Sequence, residues 1–237
     1  FHGTKIGLHL DETPKINCPV SFHFGDIDKS VPMDEVNAIK EAYSGLENAE
    51  IAMTQAAEIL GPCCTRIPDG ETGERGYWIR WQQSTFDKCA DLEMEVIDQK
   101  LPGFKDSVRR PFYRIRQGVK PGNLNIGELG YAKEAIISYK IFSKCVEEGK
   151  INAGIRFQVS VPTPVALVCG FVLGPDQLKV EPAIEQAMAR DIARIQAEIP
   201  LDCLSFQWDV CYEVVGHDGG PKLPYDKPLE GSVERVG

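Results

Sequence analysis

The sequence predicts an α/β protein built around a parallel sheet. From Leu46 onward, short apolar strands alternate with amphipathic helices, which is typical of repeated βα units. Charged or turn-forming residues follow directly after three of the strands, at the sheet edge where parallel α/β folds carry their sites. The 237 residues are 43% hydrophobic, so the chain is long and apolar enough to bury a core as one domain or two small ones.

The first predicted elements form a strand, a loop and a helix. The stretch NCPVSFHFG, residues 17–25, alternates loosely and predicts a buried strand, and GDIDKSVP follows as a loop. Pro32 begins a helix whose apolar residues share one face. These are Val36, Ile39 and Tyr43. Ser44-Gly45 ends it.

The next region predicts two helices around a short strand. The first helix runs from about Leu46 to Leu60 and stops at Gly61-Pro62. CCTRI is a short strand, and TFDKCADLEMEVIDQK is predicted to be helical as far as Leu101-Pro102. Residues 102–129 have no clear period. An excursion of this length in a compact domain is usually functional.

The last region has the clearest periodicity. YAKEAIISYKIFSKCVEEGK predicts a helix that ends near Gly149, and GIRFQVSVPTPVALV predicts a buried strand broken at Pro162. A helix then begins at Pro182 and ends at Pro200, with isoleucines at helical spacing. CLSFQWDVCYEVV predicts a strand that carries Asp209. From Asp218 the chain is polar and rich in Gly and Pro, which favours a loop or tail.

Charge and cysteine usage exclude several classes of partner and compartment. The net charge of -9 disfavours nucleic acid or an anionic membrane as the main partner. The sequence has no apolar run of about 18 residues and no signal-peptide pattern at its start. The eight cysteines are irregularly spaced and mostly lie in apolar strings. We therefore expect reduced, buried cysteines in a cytoplasmic protein.

Metal and nucleotide motifs are absent from the sequence. The four histidines do not pair with another His or Cys at ligand spacing, and His217, six residues after Cys211, is a weak hint at most. No glycine-rich loop of the kind that cradles phosphate occurs. We therefore predict no metal site and no cofactor bound by this chain.

The loop RIPDGETGERGYWIRW, from Arg66 to Trp81, combines acids, arginines, glycines and tryptophans. Arg75 is placed to hold either Glu71 or a carboxylate of a substrate. The alternative is that Glu71 and Arg75 form a local ion pair of the common, weak kind. The two tryptophans of the loop, Trp78 and Trp81, are expected to pack on the following helix.

Residues 1 to about 44 resemble the C-terminal part of the dienelactone hydrolase family, through CPVSFHFGDIDKSVP and the helix after it. The resemblance implies that Asp28 is the acid of a catalytic triad, which orients the base. The alternative is that Asp28 caps a turn. The sequence contains no G-x-C-x-G or G-x-S-x-G nucleophile elbow, so acyl transfer has no nucleophile here.

Residues of about 46–216 resemble the UROD/MetE-like superfamily, relatives of the cobalamin-independent methionine synthase. The resemblance is carried by LGPCCTRIPDGETGERGYWIRWQ, GIRFQVSVPTPVALV and LSFQWDVCYE. It implies a (β/α) TIM barrel in which Glu71 and Asp209 bind the amino acid that accepts a methyl group. Carboxylates suit a substrate ammonium through charge-assisted hydrogen bonds. The expected substrate-binding residues are Glu71, Asp209, Arg75 and Asp69.

The departures from that family predict a partial barrel. Its zinc ligands lie on later strands that this chain does not contain, and zinc would activate the acceptor thiol. We therefore expect a composite chain: a hydrolase-like fragment over 1–44, a half barrel over 46–216 and a polar tail over 217–237. The origin is a gene fusion, a misassembled gene or a truncation.

Three functions follow as expectations. The first is one-carbon (methyl) transfer to a thiol or a related small amino-acid-like substrate, with little or no activity in this chain alone. The second is hydrolysis of lactones or esters. The third is a non-catalytic role in which a partner chain completes the barrel. No nucleic acid or membrane partner is expected.

Overall fold

The computed structural model describes residues 49–60, 64–99, 107–220 and 222–236. The predicted strand at 17–25, the helix from Pro32 and Asp28 lie outside these residues. The helices are α1 (Ala49–Leu60), α2 (Gln83–Lys88), α3 (Tyr131–Glu147), α4 (Pro164–Phe171), α5 (Gln177–Glu198), α6 (Tyr212–His217) and α7 (Pro228–Val236). The strands are β1 (Arg66–Pro68), β2 (Leu92–Gln99), β3 (Val108–Ile115), β4 (Arg156–Pro162) and β5 (Leu204–Asp209).

The predicted α/β class with a parallel sheet is confirmed. β1, β4 and β5 form a parallel sheet in that order, with Pro68 opposite Gln158 and Pro162 opposite Asp209. α3 lies between β1 and β4 in the chain, and α5 lies between β4 and β5, so the connections are those of βα units. Within the described residues this sheet has three strands and does not close into a barrel.

The core lies between the sheet and the long helices. Phe157 of β4 packs between the rings of Tyr139 and Phe142 of α3, at centroid distances of 5.7 and 5.5 Å. Ile184 and Ile195 of α5 are fully buried. The apolar spacing that predicts α3 and α5 is therefore the spacing of the residues that hold the helices on the sheet.

The predicted helix over TFDKCADLEMEVIDQK is wrong. Only Gln83–Lys88 is helical, and Leu92–Gln99 forms an antiparallel pair with Val108–Ile115, inside the region that has no clear period. In LEMEV, apolar and acidic residues alternate with period two, which is the strand pattern. Cross-strand charge supports the pairing, since Glu93 lies opposite Arg114 and Asp98 opposite Arg109.

Three further boundaries differ from the sequence prediction. The helix predicted to begin at Pro182 begins at Gln177 and contains the proline. The segment after Pro162 is helix α4 rather than strand. The predicted polar tail contains α7 and two buried apolar side chains, Leu223 and Tyr225. In each case packing against neighbouring elements overrides the local composition.

The described part of the chain contains no helix that combines the length and the hydropathy required to span a bilayer. Six described cysteines are free, and of these Cys89 and Cys145 are buried, whereas the other four are partly exposed. The prediction of buried cysteines therefore holds for two of the six. Cys18 and Cys63 lie outside the described residues.

Glycine is required at position 70 by the backbone conformation and by the close approach of Ala52. Its φ is +78°, and a Cβ at this position would lie 2.7 Å from Cβ of Ala52 in α1. We expect Gly70→Ala to lower the free energy of unfolding by about 2–3 kcal/mol, because left-handed strain and a rigid contact add. The matched control is Gly73→Ala, with φ +70° and open space around it. The Gly73→Ala substitution should lower the free energy of unfolding by about 1 kcal/mol. Urea denaturation measures both, and equal losses would contradict the assigned contact.

Candidate functional site

The loop after β1 turns back over the carboxyl edge of the parallel sheet. Gly70, Glu71 and Gly73 all have positive φ, and for Glu71 the value is 47°. A non-glycine residue in this region is strained and persists only where the surrounding structure imposes it. The turn thereby directs Glu71 back toward the sheet.

Asp69 organises this loop. One carboxylate oxygen accepts the Glu71 backbone N–H at 2.9 Å. The other accepts the hydroxyl of Ser138 in α3 at 2.5 Å and the Arg75 Nη1 group at 2.8 Å. Asp69 is 6% exposed, so these are charge-assisted bonds in a largely dry environment. The carboxylate therefore joins the loop to α3 and fixes the Glu71 backbone.

Arg75 is held by carboxylates of the protein. Besides Asp69, its Nε lies 3.7 Å from Oε2 of Glu134 in α3. Its side chain is 15% exposed. Arg75 therefore forms an ion pair within the loop, but its partner there is Asp69 and not Glu71, the partner named in the predicted alternative.

A second polar row crosses from β4 to β5. Gln158 donates from Nε2 to Oε1 of Gln207 at 2.7 Å, and Gln207 donates from Nε2 to Oδ1 of Asp209 at 2.8 Å. Because side chains alternate along a strand, these residues share one face, while Phe157 and Val159 face the helices. The row orients the Asp209 carboxylate at the carboxyl end of β5.

Glu71 carries the most perturbed carboxyl of the site. Burial and, to a smaller extent, the charges of Asp209 and Asp69 together raise its pKa from the usual 4.5 to about 8, while Arg75 opposes them. Asp209 therefore lies close enough to Glu71 to act on it electrostatically. Near neutral pH the Glu71 carboxyl is predominantly protonated, unless a positive charge is added beside it.

Tyr131 contributes a buried hydroxyl to the same region. Its ring packs edge-on against Trp81 at a centroid distance of 4.9 Å. The hydroxyl is buried and has no hydrogen-bond partner within the described part of the chain. Burial, with the charges of Glu71 and Asp209, raises the tyrosine pKa well above its ordinary value. An unpaired buried donor is costly, so this hydroxyl is available to a ligand.

The side chains surround a cavity of about 20 Å³, room for a single water molecule. Its lining includes Glu71, Arg75, Tyr131, Glu134, Gln158 and Ser160. Asp209 lies outside the lining. A larger ligand would therefore require the wall to move.

The structure brings together four of the five predicted site residues. Glu71 and Asp209 approach each other, and Asp69 and Arg75 support the loop, while Asp28 lies outside the described residues. Their role in substrate binding stays a prediction. Thr163, in the turn VPTP that ends β4, lies at the start of α4. Burial raises the pKa of the Glu213 carboxyl, and the Thr163 hydroxyl opposes this increase.

The sequence interpretation missed five residues of the site. They are Tyr131, Glu134, Ser138, Gln158 and Gln207. One signal was present, because in RFQVSVP polar residues alternate with apolar ones and mark a strand with one polar face. The α3 residues have no such signal, since their contact with the loop is made across the fold.

Comparison with known proteins gives one match. The model of the Dienelactone hydrolase family matches residues 1–53, which includes Asp28 and ends inside α1. This agrees with the resemblance of the first 44 residues and places its end beyond the boundary expected from the sequence. No curated protein and no solved structure matches the chain.

Proposed function

We propose that the described α/β unit binds the ammonium group of a small amino-acid-like substrate through Glu71 and Asp209. In this proposal the unit is the first half of a UROD/MetE-like barrel whose intact relatives transfer a methyl group. The observation that carries the proposal is the convergence of two carboxyl groups at the carboxyl edge of parallel strands, with the pKa of Glu71 raised to about 8.

The charge balance favours a cationic group as the ligand. Asp69, Glu71, Glu134 and Asp209 contribute four acids near this edge, and Arg75 is already paired with two of them. Among the described residues, the Glu71 carboxyl has no ion-pair partner within 4 Å. A substrate ammonium beside Glu71 would allow it to ionise and would regain the energy that burial costs.

The order of the strands is also compatible with part of a β/α barrel. The order of β1, β4 and β5 across the sheet is the same as their order along the chain. The β2–β3 hairpin is an insertion in the connection between β1 and β4. The intact family uses zinc, but in the described part of the chain no group of three or more His, Cys, Asp or Glu side chains is placed to hold a metal ion. The described residues therefore do not fit a zinc ion. For them we propose binding of the substrate ammonium and no zinc-dependent step.

Titration with three matched compounds tests the proposal. L-methionine and 3-(methylthio)propylamine retain an ammonium group, and 4-(methylthio)butanoate lacks it. We expect the full chain to bind the first two and not the third. Glu71→Gln should weaken binding of the amines by about tenfold or more, because a charge-assisted contact is lost. Calorimetry measures both effects.

The control is Glu74→Gln, which alters an exposed acid three residues along the same loop. It should leave amine binding unchanged. Equal binding of the butanoate, or equal weakening by the two variants, would argue against recognition through Glu71.

A second candidate function is hydrolysis of lactones or esters. It is favoured by the Dienelactone hydrolase family match over 1–53. In this proposal Asp28 is the triad acid, and the nucleophile and base must come from elsewhere. Turnover of an activated ester that is lost in Asp28→Asn would support it, whereas turnover that survives would not.

A further inference from the structure

A second charged cluster, formed by Arg80, Arg110 and Tyr212, lies outside the acidic site. Arg110 on β3 is half-buried and has only neutral partners. It donates from Nη1 to Oε1 of Gln99 at 3.0 Å and from Nη2 to the Gly170 carbonyl at 3.4 Å. Its guanidinium also lies over the ring of Phe112, 5.5 Å from the centroid. A guanidinium has five N–H donors, so donors remain after these contacts.

The packing around Gly170 brings Arg80 to the same place. A Cβ built on Gly170 would lie 2.6 Å from Cδ1 of Ile79, so the Ile79 side chain packs directly on this glycine. Arg80 is the next residue, and Arg110 hydrogen-bonds to the Gly170 carbonyl. The positive charge of Arg80 adds to burial in lowering the pKa of Arg110, as expected for two neighbouring guanidinium groups.

Neither arginine has a compensating acid. Among the described residues, no carboxylate oxygen lies within 4 Å of either guanidinium, whereas Arg75, Arg109, Arg114 and Arg194 each have such a partner. Two adjacent cations without a counter-ion repel each other, and Arg110 is also partly desolvated. The arrangement is therefore less stable than one with an anion between the two groups.

Tyr212 of α6 completes the cluster. Its ring stacks on Trp78 at a centroid distance of 5.9 Å and an interplanar angle of 19°. Trp78 has φ 52°, a strained conformation that packing must hold. Both arginines act on the tyrosine hydroxyl, where they oppose the increase in pKa caused by burial. The hydroxyl is thus within electrostatic reach of both guanidinium groups.

We propose that Arg80, Arg110 and Tyr212 form a binding site for an oxyanion, the phosphate or carboxylate group of a small molecule. Guanidinium groups bind such anions with two parallel hydrogen bonds, and the tyrosine supplies a further donor. The site is distinct from the acidic pocket, because none of these three residues lines that cavity. Tyr212 follows Asp209 by three residues, so the two sites are neighbours in the chain.

The test is a titration of the full chain with inorganic phosphate, pyrophosphate and succinate at constant ionic strength. We expect saturable binding of at least one anion. Comparison of the affinities for the two phosphate compounds with the affinity for succinate identifies whether the site prefers phosphate or carboxylate. Arg80→Gln should weaken that binding by about tenfold, since one bidentate contact is lost. Arg80 is exposed, so this variant should fold.

Arg109→Gln is the matched control, because it removes an exposed arginine from the adjacent position on β3. It should leave anion binding unchanged, and Arg80→Gln should leave binding of 3-(methylthio)propylamine unchanged. The proposal is overturned if no anion binds saturably at millimolar concentration, or if the Arg80 variant binds like wild type. Equal weakening by the two variants would also overturn it, because binding would then follow net charge.

Discussion

Replacement of Asp69 by alanine is expected to lower the free energy of unfolding by about 3–5 kcal/mol, the usual cost of removing one partner of a buried ion pair. Three groups lose their acceptor at once: Arg75, the Ser138 hydroxyl and the Glu71 backbone N–H. Arg75 is mostly buried and would retain only the longer contact with Glu134. Urea denaturation at neutral pH measures the loss.

Two further variants separate charge from packing. Asp98→Ala removes an exposed acid that lies 3.8 Å from the equally exposed Arg109. It should change stability by less than about 0.5 kcal/mol. The double variant Asp69→Leu with Arg75→Met removes both charges of the buried pair and should be less destabilised than Asp69→Ala. If Asp69→Ala and Asp98→Ala cost the same, Asp69 does not organise the loop.

The second large effect concerns Glu71 and pH. In the unfolded chain the Glu71 carboxyl titrates near 4.5, and in the folded protein near 8. Below both values the proton is bound in both states. Between them only the folded state keeps the proton, so Glu71 lowers stability as pH rises through this window, by at most about 1.4 kcal/mol per pH unit.

Glu71→Gln removes this titration. The variant should therefore gain stability relative to wild type as the pH rises from 5 to 8, by a few kcal/mol in total, on the order given by its pKa shift. Denaturation of both proteins across this range measures the difference. In the Glu74→Gln variant, the free energy of unfolding should depend on pH as it does in wild type. A constant difference between Glu71→Gln and wild type at all pH values would show that the folded carboxyl titrates normally.

The regularly patterned helices could be predicted from the sequence, whereas the hairpin was not. α3 and α5 repeat apolar residues at helical spacing over many turns, and the same residues form the core. β2 has the period-two pattern of a strand, but its apolar residues Met94 and Val96 remain exposed. The pattern therefore does not mark a buried face, and pairing with β3 decides the conformation.

The site was predicted in part for a similar reason. Asp69 and Glu71 lie within three residues of the end of β1, and Asp209 is the last residue of β5, so their position at the sheet edge can be inferred from the chain. Ser138 is a polar residue within an otherwise apolar helix face, and its contact spans 69 positions of sequence. Such a partner becomes visible only when the fold brings α3 over the loop.

The two proposed sites differ in the sign of their unbalanced charge. Glu71 is a carboxyl held in its neutral form by burial and by neighbouring acids, and Arg110 is a guanidinium beside a second cation. Both arrangements are costly without a ligand, and each would be relieved by the opposite charge. Groups with strongly perturbed pKa values cluster at functional sites.

Proton release on amine binding is the most direct test of the central claim, that an ammonium ligand ionises Glu71. Calorimetry of 3-(methylthio)propylamine binding at pH 7, in buffers of different ionisation enthalpy, counts the protons. We expect about one proton released per bound amine in wild type and none in Glu71→Gln. Binding without proton release, or equal release in the variant, would contradict the claim.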